Sequence, residues 1–197
     1  MDLFKTRQFC NPVAVTQQIG NQMVTFPIID PAARLACYKV RRPITAIRYQ
    51  VISTDQFGEQ DLTVQKRRTE LCVPSQEIAG PAPATPLEHF ELYRAKTTPG
   101  TEKFEKQEVI LTDQFLTNET VKLRRPVRFS VPTDKDEEGI VNSLTHMTCY
   151  SVQAPRFQKR DVEVVNQFSE NGDTFRLTVR RPNLLCVPSY KECLFCG

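Results

Sequence analysis

Apolar and polar residues alternate with a period of two along most of this chain, the pattern of strands with one face buried. The first clear case is Leu35-Ala36-Cys37-Tyr38-Lys39-Val40. Arg48 to Thr54 follows, closed by Asp55-Gln56-Phe57, then Asp61 to Arg68, then Leu71-Cys72-Val73-Pro74-Ser75. The same succession returns from Phe90 to Ala95, through Val109 to Phe115 and Val121 to Pro126, and ends in Phe129-Ser130-Val131-Pro132-Thr133. It returns again as Met147 to Val152, Val162 to Phe168, Phe175 to Pro182 and Leu185-Cys186-Val187-Pro188-Ser189. Asn171-Gly172 predicts a tight hairpin turn in the last copy, since both residues accept positive φ. No stretch of useful length shows the periodicity and caps of a helix.

These are internal repeats. Cys37, Leu92 and Cys149 hold equivalent places 55 and then 57 residues apart, a period that defines the architecture before any other feature. The expected organisation is repeat 1 over 34–78, repeat 2 over 88–133 and repeat 3 over 144–192. Residues 1–19 read as the C-terminal remnant of a preceding repeat, since Phe9-Cys10-Asn11-Pro12 is a worn copy of the closing motif. Residues 14–33 read as linker, the Pro-Ala run 79–86 as a stiff spacer, and 193–197 as a C-x-x-C tail. A lone closing strand at 3–13 also carries the expectation that Met1 is not the natural beginning of the folded protein.

The repeats comment on one another. Cys37 and Cys72 recur as Cys149 and Cys186, while the middle copy replaces both, with Leu92 and Ser130. Joint loss is what pairing within a repeat predicts, so Cys37–Cys72 and Cys149–Cys186 are favoured over bridges between neighbouring units, although spacing alone does not fix connectivity. In a flat four-stranded meander the outer strands lie about 14 Å apart, and a disulfide needs Cα atoms within ~7 Å. The first and last strands of a repeat must therefore be neighbours or face each other. The expected class is all-β, as tandem small disulfide-stapled β-sandwich or barrel-like repeats of about 55 residues. In such small units a crosslink of about 4 kcal/mol matters.

Other repeated positions have structural roles. Tyr38, Tyr93 and Tyr150 should pack in the core with the hydroxyl reaching a partner. Asp55, Asp113 and Asn166 start the turn before Phe57, Phe115 and Phe168, where a short acceptor side chain can bond a backbone N–H. One copy being Asn argues against calcium. His89 and His146 share one position, which carries Arg34 in the first repeat, and a catalytic histidine would not track a repeat. Nucleophile, phosphate-loop and zinc motifs are missing from the sequence, so no catalytic, cofactor or metal residues are assigned.

Composition changes the picture in three places. The 40% hydrophobic and 25% charged content is that of a globular protein, and no apolar run approaches membrane-helix length. A net charge of +3 makes nucleic acid an unexpected partner. Basic residues nevertheless recur on one strand: Lys66, Arg67 and Arg68, then Lys122, Arg124 and Arg125, then Arg180 and Arg181. They form a candidate basic surface, weighed against a solvated edge that resists aggregation. Seven cysteines lean towards an oxidising compartment. Of these, Cys10, Cys193 and Cys196 lack repeat partners, and a bridge from Cys10 to one of the other two is the favoured reading over zinc or redox chemistry.

Taken together, the Cys-Tyr-Lys-Val, Asp-Gln-Phe-Gly and Leu-Cys-Val-Pro-Ser motifs resemble tandem repeat domains of unknown function in secreted bacterial proteins. The resemblance covers residues 34–192 and the partial copy at 3–13; it departs from the pattern in the middle repeat and the C-x-x-C tail. It implies an extracellular or cell-surface, all-β, non-enzymatic protein and supplies no catalytic residues. The expected function is binding or cell-surface scaffolding, with an unknown protein or polysaccharide as partner and no cofactor. The alternatives are an accessory region of a larger secreted enzyme and a binder of anionic glycan through the basic strand.

Overall fold

A computed structural model describes residues 2–41, 47–169 and 173–195, with side chains left out at 2–5, 41, 66–69 and 195. The described residues form thirteen strands and no helix. They are β1 (Asp2–Cys10), β2 (Ala14–Ile19), β3 (Gln22–Phe26), β4 (Leu35–Arg41), β5 (Arg48–Asp55) and β6 (Gly58–Glu77). Then follow β7 (Phe90–Thr97), β8 (Gln107–Thr112), β9 (Glu119–Pro132), β10 (His146–Gln153), β11 (Arg160–Asn166), β12 (Phe175–Val179) and β13 (Leu184–Phe195). Each repeat contributes a first strand (β4, β7, β10), a second (β5, β8, β11), a third and a fourth. Third and fourth run together as the long strands β6 and β9, and are separate as β12 and β13 in the last repeat.

Three pairing rules build the fold. First, within each repeat the first and fourth strands are antiparallel neighbours, placing Cys37 opposite Cys72, Leu92 opposite Ser130 and Cys149 opposite Cys186. Second, each fourth strand also pairs with the first strand of the next repeat, so Cys72 faces Phe90 and Ser130 faces Met147. Strand β1 obeys the same rule, with Cys10 opposite Leu35. Third, the chain beyond a fourth strand reaches the second strand two repeats along: β6 pairs with β11 and β2 pairs with β8. By the same rule β13 pairs with β5. The ladders close a six-stranded barrel, β6-β5-β13-β10-β9-β7 and back to β6. Closure removes exposed edges.

The barrel character expected of each repeat is thus realised by the three repeats together. Disulfides join Cys37 to Cys72 and Cys149 to Cys186, each with Cα atoms 3.9 Å apart, because the partners sit opposite one another on adjacent strands. All four sulfurs enter one cluster with Phe90, Leu92 and Met147. A hydroxyl chain from Ser53 to Thr148 (2.5 Å) and on to Ser189 (3.3 Å) ties β5, β10 and β13.

Two expectations are corrected. Residues 14–33 are not wholly linker: Ala14–Ile19 and Gln22–Phe26 form a hairpin through Gly20, which has φ 58°. Alternation there is interrupted by glutamines, yet the buried Val15 and Gln17 face the body of the protein. Cys10 does not pair with the tail. It is a free thiol 3.9 Å from the Cys37 sulfur, while Cys193 is itself disulfide-bonded. The rule that sets β1 beside β4 holds Cys10 among the ring cysteines. Asn171-Gly172 and Cys196 lie outside the described residues.

Leu92 and Ser130 are both buried and directly opposed, in the register that carries a bridge in the other repeats. Leu92→Cys with Ser130→Cys should therefore form a further disulfide, seen by non-reducing peptide mapping. Its gain in a denaturant midpoint should be at most about 4 kcal/mol on the chain-entropy model. Because β7 pairs with both β6 and β9, reduction of the native bridges should lower a single cooperative transition rather than spare the middle repeat.

Candidate functional site

A cleft opens where β7 parts from β9. Arg94 is the last β7 residue in register with β9, opposite Arg128. The β6 ladder to β7 is interrupted between Gln65 and Glu70. Towards its N-terminal end, β9 instead turns to β10, with Pro126 opposite Tyr150 and Leu123 opposite Val152. Interruptions of this kind bend a strand and twist it away from its partner. The result is a cleft of roughly 930 Å³ between the end of β7, the segment Arg124–Arg128 and the loop carrying Lys103 and Phe104.

Its lining is strongly cationic. Arg94, Lys96, Lys103, Arg124, Arg125 and Arg128 contribute, and among the described residues no carboxylate lines the cleft. All but Arg128 are exposed. Arg128 is partly engaged by Glu70, at 3.9 Å, whose carboxyl is pushed above the usual carboxylate range by burial and pulled back by Arg128 and Arg7. Phe104 forms part of the wall and packs on Tyr150, ring centroids 4.8 Å apart, so the cleft rests on the core. Like charges focused between low-dielectric walls raise the local concentration of anions.

The repeated basic residues fall in different places. Arg124 and Arg125 line the cleft, whereas Lys122 is spent on Glu108 at 3.1 Å. Arg180 and Arg181 follow β12, which among the described residues pairs with β11 alone. The side chains of Lys66, Arg67 and Arg68 are outside the described residues, although the backbone enters them from Gln65 on the cleft wall. Sequence reading missed Arg94, Lys96, Lys103 and Arg128, because a search confined to the third strand overlooks cations brought in by β7 and its loop.

A second constellation repeats between units. Asp55 Oδ1, Asp113 Oδ1 and Asn166 Oδ1 accept the backbone N–H of Phe57, Phe115 and Phe168 at 2.8, 2.6 and 3.0 Å, the expected turn. The Tyr150 hydroxyl donates to Asp55 Oδ2 at 2.7 Å, and Asn166 Nδ2 donates to the Tyr38 oxygen at 2.8 Å. Phe57 and Phe168 meet the same tyrosines edge-on, at 5.2 Å each. Burial pushes the Asp55 carboxyl up to about 6, against the hydrogen bonds from Tyr150 and Phe57. Burial beside this carboxylate likewise raises the Tyr150 hydroxyl.

A carboxyl near 6 bonded to a tyrosine has the chemistry of a general acid. The matching place in the third repeat holds the non-titrating Asn166, and both sites are walled by phenylalanine, so the arrangement is a structural lock between repeats. The histidines are ties of the same kind. His89 Nε2 lies 2.8 Å from Gln167 Oε1, and buried His146 stacks on Phe129.

The lock makes stability depend on pH. The folded protein holds the Asp55 proton more tightly than the unfolded chain does, so its contribution is complete below the ordinary value of 3.8 and declines as pH rises through about 6. Asp55→Asn, copying the third repeat, should flatten the stability profile between about pH 4 and 6. Chemical-denaturation midpoints of both proteins across that range give the comparison.

Neither a curated protein nor a solved structure is matched by this chain. A family profile does match, over residues 34–188, a span that takes in most of the three repeats. The chain belongs to the family described as a repeat of unknown function, DUF7450.

Proposed function

We propose that this protein is a non-catalytic, extracellular or cell-surface binding module that holds an anionic polysaccharide in the basic cleft beside β7. One observation carries the reading: among the described residues, six cationic side chains and no carboxylate line a single cleft of roughly 930 Å³. A net charge of only +3 makes this local concentration more informative than the overall balance. Exposed lysines and arginines on strand backbones offer point charges and planar forks to sulfate or carboxylate groups spaced along a polymer. The Cys37–Cys72 and Cys149–Cys186 disulfides support an oxidising compartment. Among the described residues no helix is long and apolar enough to cross a membrane.

Retention on heparin resin provides the test. The protein should bind at low ionic strength and elute as salt screens the cleft, with screening effective beyond ~10 Å at 0.1 M. Arg124→Glu with Arg125→Glu should abolish retention, while Arg180→Glu with Arg181→Glu should leave it nearly unchanged. Equal losses in the two double variants would reduce the interaction to general charge and remove the cleft from the proposal.

A further inference from the structure

The contacts between repeats count the places around the ring. Tyr38 of the first repeat locks onto Asn166 of the third, and Tyr150 of the third locks onto Asp55 of the first. A step of two in the same direction returns from the third repeat to the first only if there are four places. The ladders agree: β6 of the first repeat reaches β11 of the third, and β13 of the third reaches β5 of the first. Three places hold full repeats. In the fourth, β1 stands as a closing strand beside β4. Among the described residues no first strand accompanies it.

The contacts such a strand would make are left open. Among the described residues, β1 has no ladder partner on the side away from β4, and β12 has none besides β11. Phe9 and Cys10 are only partly buried, whereas their counterparts Leu71 and Cys72 are 1% exposed. Across the gap, Cys186 and Leu184 are likewise only partly buried and belong to the same cluster as Cys10. Asp113 makes its turn, yet no tyrosine hydroxyl reaches it among the described residues, and Phe115 meets Phe157 rather than a tyrosine. Arg34 and His89 bond Gln114 and Gln167, the residues after Asp113 and Asn166. The equivalent Gln56 bonds Gln17 instead.

We propose that the open place between β1 and β13 docks a first strand of this repeat type, an extended segment of pattern apolar-x-Cys-Tyr from another repeat of the family outside residues 1–197. Its cysteine meets Cys10 as Cys37 meets Cys72, its tyrosine donates to Asp113, and its backbone pairs with β1 on one side and β13 and β12 on the other. One strand between β1 and β13 would take two ladder spacings of ~4.8 Å. A second copy of this chain is the poorer occupant, since its β4, β7 and β10 already pair on both faces. Strand addition of this kind takes affinity from the backbone and specificity from the alternate side chains.

The test uses a synthetic peptide with the sequence of residues 144–153, prepared as a mixed disulfide between its cysteine and glutathione. The Cys10 thiolate attacks the peptide sulfur, a new disulfide forms, and glutathione leaves as a thiol carrying the proton Cys10 gave up. A one-to-one adduct at Cys10 should form at least about tenfold faster than with a scrambled peptide, because docking aligns the sulfurs. Replacing the peptide tyrosine with phenylalanine should weaken binding roughly tenfold, the loss of a bond to a charged acceptor. Cys10→Ser should still bind the peptide without crosslinking, and hydrogen exchange should slow in β1, β12 and residues 184–187. Equal rates for the scrambled peptide, an adduct at Cys193 instead, or a Cys10-linked dimer of the chain alone would each overturn the proposal.

Discussion

The structure depends on one register. In every repeat the first strand sits between two fourth strands, its own and that of the unit before, and the residue at position 37, 92 or 149 lies opposite 72, 130 or 186. A slip of one residue would exchange the two faces of the strand. Here both faces are buried, Cys37 in the ring of sulfurs and large apolar side chains and Tyr38 in a separate core with Phe168. Neither face tolerates the other's side chains. The disulfide makes this register covalent in two repeats. In the middle repeat, Leu92 and Ser130 keep it through ladders on both flanks of β7.

With the register fixed, the lock between distant units follows. The residue after the cysteine points away from the sulfur ring and extends a tyrosine towards the turn two repeats along. Asp55 accepts and Asn166 donates, so one hydroxyl serves opposite hydrogen-bond polarities without a change of backbone. The carboxylate form costs desolvation that the amide form avoids. Two versions of one lock, differing in charge, hold opposite sides of the same ring.

The cleft arises from the same long strands. β6 and β9 each carry a third and a fourth strand without a break, and they must change partners midway. Where the partners change, β7 is left with one side open and its outward side chains converge with those of β9. Charge on an unpaired stretch of sheet generally disfavours strand-to-strand association.

Much of this was legible in the chain. Period-two alternation located the strands of the repeats, the matched loss of Cys37/Cys72 equivalents at Leu92 and Ser130 pointed to the bridges, and the Asp-Gln-Phe motif placed the turns. These are local or pairwise properties, set by side-chain chemistry a few residues wide or by comparison between copies. Which repeat touches which was not legible, because step-of-two contacts such as Tyr150 with Asp55 join residues 95 apart and leave no local pattern. The hairpin at Ala14–Phe26 was hidden by its glutamines, and the cleft by cations on β7 that lie outside the third strand. Sequence determined what each strand is; tertiary structure decided its neighbours, because a strand's free backbone groups accept any edge of the right register and only ring closure selects among them.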